Sequence, residues 1–267
     1  MSNRIELIPI KVDKKTPGFN IVEETISSIK INKEEIFDGD ILAISSKFVA
    51  IAENRVVDLS DVKVSEMGKK VAKELDVEES VSEIIVRESD LVFSGVKGVV
   101  LVMKNHVLTP NAGIDRSNIY PGHAVLYPKD PFISAETIRE SIKRLLGRKI
   151  AVVLTDSRLM PTRLGTTGVA VGVAGIIPSI DDRGRVDLFG NVIKLTQRAI
   201  ADDISSAAQL IMGEADEGIP IVIIRGSNID VVEEKVDIDS LAVDNKECIY
   251  IRGLTDSDLV KRLEQNG

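Results

Sequence analysis

Short apolar runs alternating with helix-spaced stretches predict a mixed α/β (α+β) fold for this chain. Residues 41–44 (Ile41-Leu42-Ala43-Ile44), 149–154 and 219–225 are brief and almost uninterruptedly apolar, as strands buried on both faces are. The stretches between them open on capping residues and carry apolar side chains three and four apart, as in helices with one buried face. The run at 149–154 also delivers Thr155 and Asp156 at its carboxyl end, where open α/β sheets place their ligands.

Taken in order, residues 5–12 read as a first strand. Asn20 caps a helix over 21–30, with Glu23 as the capping-box partner. Asp38-Gly39-Asp40 makes a turn into the strand at 41–44, which ends at Ser45-Ser46-Lys47, and the apolar residues of 48–57 predict another strand. Residues 65–75 and 78–88 read as two helices broken at Asp76-Val77, followed by strand-like segments at 91–93, 99–103 and 107–108. The Pro- and Gly-punctuated stretch 120–131 reads as loop, after which Ser134 caps a helix that stops at Gly147.

Residues 195–212 have length for about five helical turns, with Ile200, Ile204, Ala207, Ala208 and Ile211 on one face and Gly213 as the stop. The acidic stretch 230–244 lacks a pattern. A short strand at 248–252 and a last helix at 257–265 complete the reading. No internal repeat is present and no linker divides the chain. The domain expectation is one catalytic module over 1–253 plus a C-terminal helix over 254–267.

Composition narrows the function classes. The 267 residues carry a net charge of −8 with no Lys/Arg block, and only 3% are aromatic, so nucleic acid is not an expected partner. The longest apolar run, 169–177, falls short of the roughly 20 residues a membrane span requires and is interrupted by Gly172 and Gly175. One cysteine, Cys248, cannot form an intrachain bridge, and no leading apolar segment resembles a signal peptide; the expected location is the reducing cytoplasm.

Three carboxylate-bearing turns carry the chemistry: Asn111-Ala112-Gly113-Ile114-Asp115-Arg116-Ser117-Asn118, Thr155-Asp156-Ser157, and Gly213-Glu214-Ala215-Asp216-Glu217-Gly218. Hard divalent cations take oxygen ligands, and phosphoryl transfer asks a protein for cations and positioning, so such turns suit a nucleotide triphosphate site. Two carboxylates about 4 Å apart repel by roughly 4 kcal/mol at an effective dielectric of 20, so a converging set implies a cation or a raised pKa. A lone turn Asp more often caps its own backbone as an Asx turn, and an acidic Gly-bracketed loop is also an ordinary surface loop. Lys47, Arg116, Arg158, Arg163 and Arg225 are candidate phosphate or carboxylate partners. No P-loop is present. Gly168, Gly172 and Gly175 are misspaced for a dinucleotide fingerprint and read as close-packing glycines instead. With His106 and His123 as the only histidines, a zinc or Cys-His site has little support.

The succession NAGIDRSN, LTDS, PTRLG, GVAVGVAGI, DDRG, ADDISSAAQLIMGEADEGIP and VIIRG resembles the coenzyme F420-0:L-glutamate ligase (F420 γ-glutamyl ligase) family from about residue 7 to 253. The resemblance implies a GTP-dependent ligase that adds L-glutamate to F420-0 through an acyl phosphate and then a further γ-linked glutamate. It implies two divalent ions, Mn²⁺ or Mg²⁺, with K⁺, and a homodimer whose two-subdomain monomers intertwine. It assigns Asp115 and Asp156 as catalytic and metal-binding, and Ser157 and Glu214 as further metal ligands. Nucleotide contacts fall on Ser46, Lys47, Asn118, Met212, Gly213, Glu214, Ala215, Asp216, Glu217, Gly218 and Ile219, and on the loop 13–16. This chain has Ile51 where the family typically has lysine, and Leu159-Met160 where it has a Gly-Arg pair. These departures admit two alternatives: a paralogous nucleotide-dependent amide ligase acting on another carboxylate, or a non-catalytic nucleotide- and metal-binding relative.

Overall fold

The computed structural model describes residues 4–255. In chain order the elements are β1 (Glu6–Ile10), α1 (Ile21–Ile31), β2 (Ile41–Ser45), α2 (Ser46–Ala52), β3 (Val56–Asp58), α3 (Glu66–Leu75) and α4 (Glu79–Glu88). There follow β4 (Leu91–Val96), β5 (Val99–Lys104), β6 (Val107–Pro110), β7 (His123–Val125), α5 (Pro131–Leu146), β8 (Ala151–Leu159) and β9 (Thr166–Ala174). The described chain closes with β10 (Ile180–Asp181), β11 (Gln197–Arg198), α6 (Ile200–Met212), β12 (Ile221–Arg225) and α7 (Ile249–Thr255). The mixed α/β expectation holds.

A five-stranded sheet in the order β1-β12-β2-β8-β9 forms the body. Only β2 and β8 run parallel; the other pairs are antiparallel. Both faces are covered, which is why β2 and β12 read as continuous apolar runs. One face meets α1 and α5 through Leu42, Ile44, Val152 and Leu154 packed against Val22, Ile138 and Ile142. The other meets α6 through Ala43, Val153 and Val222 packed against Ala201, Ile204 and Ala208. A smaller core sits beside this body, where α3 and α4 cover the three-stranded sheet β4-β5-β6 through Leu75, Ile85, Val100 and Val102. Strands β3 and β7 pair separately.

The strand β9 carries an irregularity that positions the site. Leu154 pairs with Gly172 and Thr155 with Ala170, so Val171 is an extra residue on β9. A bulge of this kind shifts the alternation of side chains by one. Gly168 and Gly172, four apart, therefore face opposite helices. A Cβ on Gly168 would lie 2.3 Å from the Ser205 carbonyl of α6, and one on Gly172 would lie 2.3 Å from the Pro131 carbonyl of α5. The close-packing reading of these glycines is what the structure shows.

Several expectations need correction. Residues 48–57 are not one strand: Ser46 begins the short helix α2, with Phe48, Val49 and Ala50 all buried, and β3 is confined to three residues. The loop at 120–131 contains β7 and the start of α5, whose cap is Asp130, accepting from Ile133 N–H with Pro131 in the first turn; Ser134 instead bonds Glu53 and the Asp130 carbonyl. Strand β8 continues past Asp156 to Leu159. Helix α6 begins at Ile200, because residues 197–198 are drawn into the ribbon β10-β11. Residues 249–255 form the helix α7, not a strand. The helix expected at 257–265 lies outside the described residues. Among the described residues no helix is long and apolar enough to cross a membrane.

Candidate active site

The carboxyl end of β2 lies beside the middle of β8, with Ser45 paired to Thr155, so the residues that follow β2 meet the second half of β8, from Asp156 onward. The loop before β12 joins them there: Ser45 N–H donates to the Pro220 carbonyl (2.8 Å), and Val12 N–H, just after β1, donates to Gly218 (2.9 Å). The loop 13–16 therefore departs from the same edge. The turn 111–118 comes in from the smaller core. Its Asn111, Ala112 and Gly113 are all left-handed (φ 51, 55 and 67), and Asp115 is tied to β7 by two backbone bonds with Val125. Asn111 Oδ1 accepts from Val100 N–H at 2.8 Å, pinning the turn to β5. A non-glycine residue at such φ, like Ala112, stores about 1–2 kcal/mol, the sort of strain that collects where geometry is fixed for function.

These elements enclose a cavity of about 140 Å³ lined by Ser46, Lys47, Thr109, Asp115, Tyr127, Asp156 and Ser157, among others. That volume suits a phosphoryl group and a cation, not a whole nucleoside. Asp115 satisfies both readings of a turn aspartate. Its Oδ1 accepts from Ser117 N–H (2.6 Å) in an Asx turn, while Oδ2 forms an ion pair with Lys47, whose ammonium also donates to Ser117 Oγ (2.9 Å). Burial pushes the Asp115 carboxyl upward, but Lys47 and the hydrogen bonds from Ser117 leave it below its usual range. Asp156 goes the other way: burial raises it to about 6, and the Asp115 charge adds to the rise. The Tyr127 hydroxyl, Ser157 N–H and Lys47 oppose it.

The bulge explains which carboxylates meet. Asp156 pairs with Val169, a residue of the α1/α5 face, so its side chain points into the cavity. Glu214, at the end of α6, is held on the opposite face by Thr166 Oγ1 (2.8 Å) and Gln209. The structure thus brings Asp115, Asp156, Ser157, Ser46 and Lys47 together and leaves Glu214 outside the cavity. Among the described residues no group of three or more His, Cys, Asp or Glu is arranged to hold a metal ion. Asn118 reaches the 212–219 segment directly, its amide donating to the Ala215 carbonyl at 2.7 Å. In that segment Glu217 turns inward and accepts from Ala215 N–H (2.9 Å), folding the loop on itself beside Gly213. Met212, Asp216, Gly218 and Ile219 belong to the same segment and do not line the cavity.

Of the basic candidates, Lys47 alone lines the cavity. Arg225 is committed elsewhere, forking onto the buried Asp40 (2.9 and 2.8 Å), and Arg116 pairs with Glu78 (2.8 Å). Tyr127 and Thr109 line the cavity unforeseen. The sequence signal was Ala124-Val125-Leu126-Tyr127, an apolar run inside a stretch that turn residues made look like loop.

The donor set is compatible with Mg²⁺ or Mn²⁺. Such ions are commonly held by one or two carboxylates with substrate phosphates and water completing the octahedron. Asp115 and Asp156 supply two carboxylates, and the ammonium of Lys47 marks the electrostatic centre where positive charge is stabilised.

Comparison with known proteins gives concordant results. Residues 9–226 match the family described as F420-0:Gamma-glutamyl ligase. The chain is 38% identical over 227 residues to the coenzyme F420:L-glutamate ligase of Methanocaldococcus jannaschii, covering 85% of this chain and 89% of that protein. It is 39% identical over 210 residues to the enzyme of the same name from Methanothermobacter thermautotrophicus, covering 78% and 83%. A third, from Methanopyrus kandleri, is 36% identical over 224 residues, covering 84% and 86%.

Proposed function

This chain belongs to the F420-0:gamma-glutamyl ligase family, and from that membership we propose that it is a GTP-dependent ligase joining L-glutamate to F420-0. The observation that carries the chemistry is the meeting of Asp115, Asp156 and Lys47 at one cavity beside the carboxyl end of β2. In this reading the γ-phosphoryl group moves from GTP to the acceptor carboxylate, giving an acyl phosphate and GDP. The α-amine of glutamate then attacks the acyl carbon, phosphate leaves with the bonding pair, and the amine gives up a proton. A second glutamate follows through a γ-linked amide.

Asp115 and Asp156, with Ser157, hold divalent cations, Mn²⁺ or Mg²⁺, which supply charge neutralisation to the phosphates. Lys47 and Ser46 lie where phosphate oxygens enter, and Asn118 with residues 212–219 forms the rim on which the remainder of the nucleotide rests. Keeping Glu214 as a further ligand requires its release from Thr166 and Gln209, or its delivery from a second copy of the chain. K⁺ and the cytoplasm complete the reading. A homodimer is part of it, supported by the ribbon of residues 180–198, where Leu188 and Phe189 are 100% and 91% exposed.

Purified protein incubated with GTP, Mn²⁺, glutamate and F420-0 is expected to release GDP and raise the mass of the deazaflavin by glutamyl units. Asp156→Ala is expected to abolish both while retaining the fold. Glutamate-dependent GDP release without deazaflavin product would move the assignment to a ligase acting on another carboxylate. Absence of both products would leave a binding protein.

A further inference from the structure

Tyr127 is the cavity residue that the chemistry above leaves without a task. Its ring shares the apolar core with Phe48 and Val107, and the residue is 2% exposed. The turn 111–118 is shaped around it: a Cβ on Gly113 would fall 2.3 Å from the ring. The hydroxyl therefore has one place to be, beside Asp156 and Thr109 on the cavity wall. A phenol is protonated at neutral pH, so the hydroxyl is available as an O–H donor. The hydroxyl lies near enough to Asp156 to favour its charged form, yet no hydrogen bond of full geometry closes on this buried oxygen. A buried donor left in that state costs about 1–3 kcal/mol, and its persistence calls for an explanation.

We propose that Tyr127 is a positioning residue for the cation site, its O–H donating to one carboxylate oxygen of Asp156 when the other oxygen takes a divalent ion. This rests on the reading of Asp156 as a cation ligand. Ser157 N–H already fixes Asp156 Oδ1 from one side at 2.9 Å. The phenol, immobilised by Gly113 and the core, supplies a second fixed donor. Carboxylates that bind metals are held in this way by outer partners, and loss of such a partner typically lowers metal affinity by about 10–100-fold.

The test is Tyr127→Phe, which keeps the ring and removes only the oxygen. Mn²⁺ is titrated calorimetrically, without nucleotide, into chelator-treated wild type and variant, and the thermal midpoint of each metal-free protein is measured. The expected result is a dissociation constant for Mn²⁺ raised about 10-fold, with a metal-free midpoint equal to or above that of wild type. In turnover the apparent activation constant for Mn²⁺ should rise while KM for glutamate holds. Equal affinity in the two proteins overturns the inference and leaves the cation reading standing. A variant that melts several degrees lower assigns the hydroxyl a structural role and likewise overturns it. Failure of the wild type to bind Mn²⁺ removes the cation reading and the inference together.

Discussion

At the scale of single residues, the two aspartates of the cavity were legible because Asp115 sits in a Gly-bearing turn and Asp156 follows an apolar run, although that run continues as strand past it. The opposite shifts of their pKa values were not, since these depend on Lys47 bonding Asp115 and on the burial of Asp156. The sign of the resulting pH dependence follows from the folded value of about 6 against an ordinary 3.8. Between about pH 4 and 6 the folded chain holds a proton at Asp156 that the unfolded chain has released, so this group's contribution to stability falls as pH rises through that window. Asp156→Asn should remove that fall and melt several degrees higher than wild type at pH 7 in chelator, as read by thermal denaturation. Identical pH profiles would show that the carboxyl is not enclosed. Gly113→Ala is expected to cost about 2–4 kcal/mol, since it places a methyl group against the Tyr127 ring at a φ of +67, and urea denaturation would measure it. Tyr127 itself was illegible as a site residue, because the Pro and Gly residues around its short apolar run made the whole stretch read as loop.

At the scale of elements, the glycines of β9 were read correctly as packing devices, but their opposite facings were not readable. Spacing of four implies one face, and only the extra Val171 changes that. Alternation along β8 puts Asp156 on the α1/α5 face, while the bulge turns Thr166, which holds Glu214, toward α6, and no motif records that difference. Gly172→Ala should destabilise by about 1–3 kcal/mol, since the new methyl meets the backbone of α5's first turn, whereas Gly253→Ala in α7 meets nothing and should be neutral or slightly stabilising. Comparable urea midpoints for the two variants would contradict that assignment. The strand expected over 48–57 failed for a related reason. Phe48, Val49 and Ala50 are buried in succession, and a short uniformly apolar run does not distinguish a buried helix from a buried strand. Helix α7 was misread on the same ground.

At the scale of the whole molecule, the neighbouring strands β12 and β2 are clamped at the edge away from the site by Arg225 and Asp40, the latter 2% exposed, with the guanidinium also stacked 4.4 Å from the Phe37 ring centre. Asp40→Ala should cost about 3–5 kcal/mol by stranding that cation, and a smaller loss in chemical denaturation would place the pair in freer contact with water. The exposed apolar ribbon around Leu188 and Phe189 predicts that Leu188→Ser with Phe189→Ser weakens self-association in sedimentation equilibrium, and unchanged association would remove the ribbon from the interface. A chain of net charge −8 also attracts metal ions indiscriminately from its surroundings. The ammonium bound between Asp115 and Ser117 changes what such attraction achieves. On the proposed function, an ion that takes the Asp115 carboxylate would displace the Lys47 ammonium, so loading there would be an exchange. In that reading, this ammonium weakens metal binding in the resting protein, and nucleotide phosphates would strengthen it.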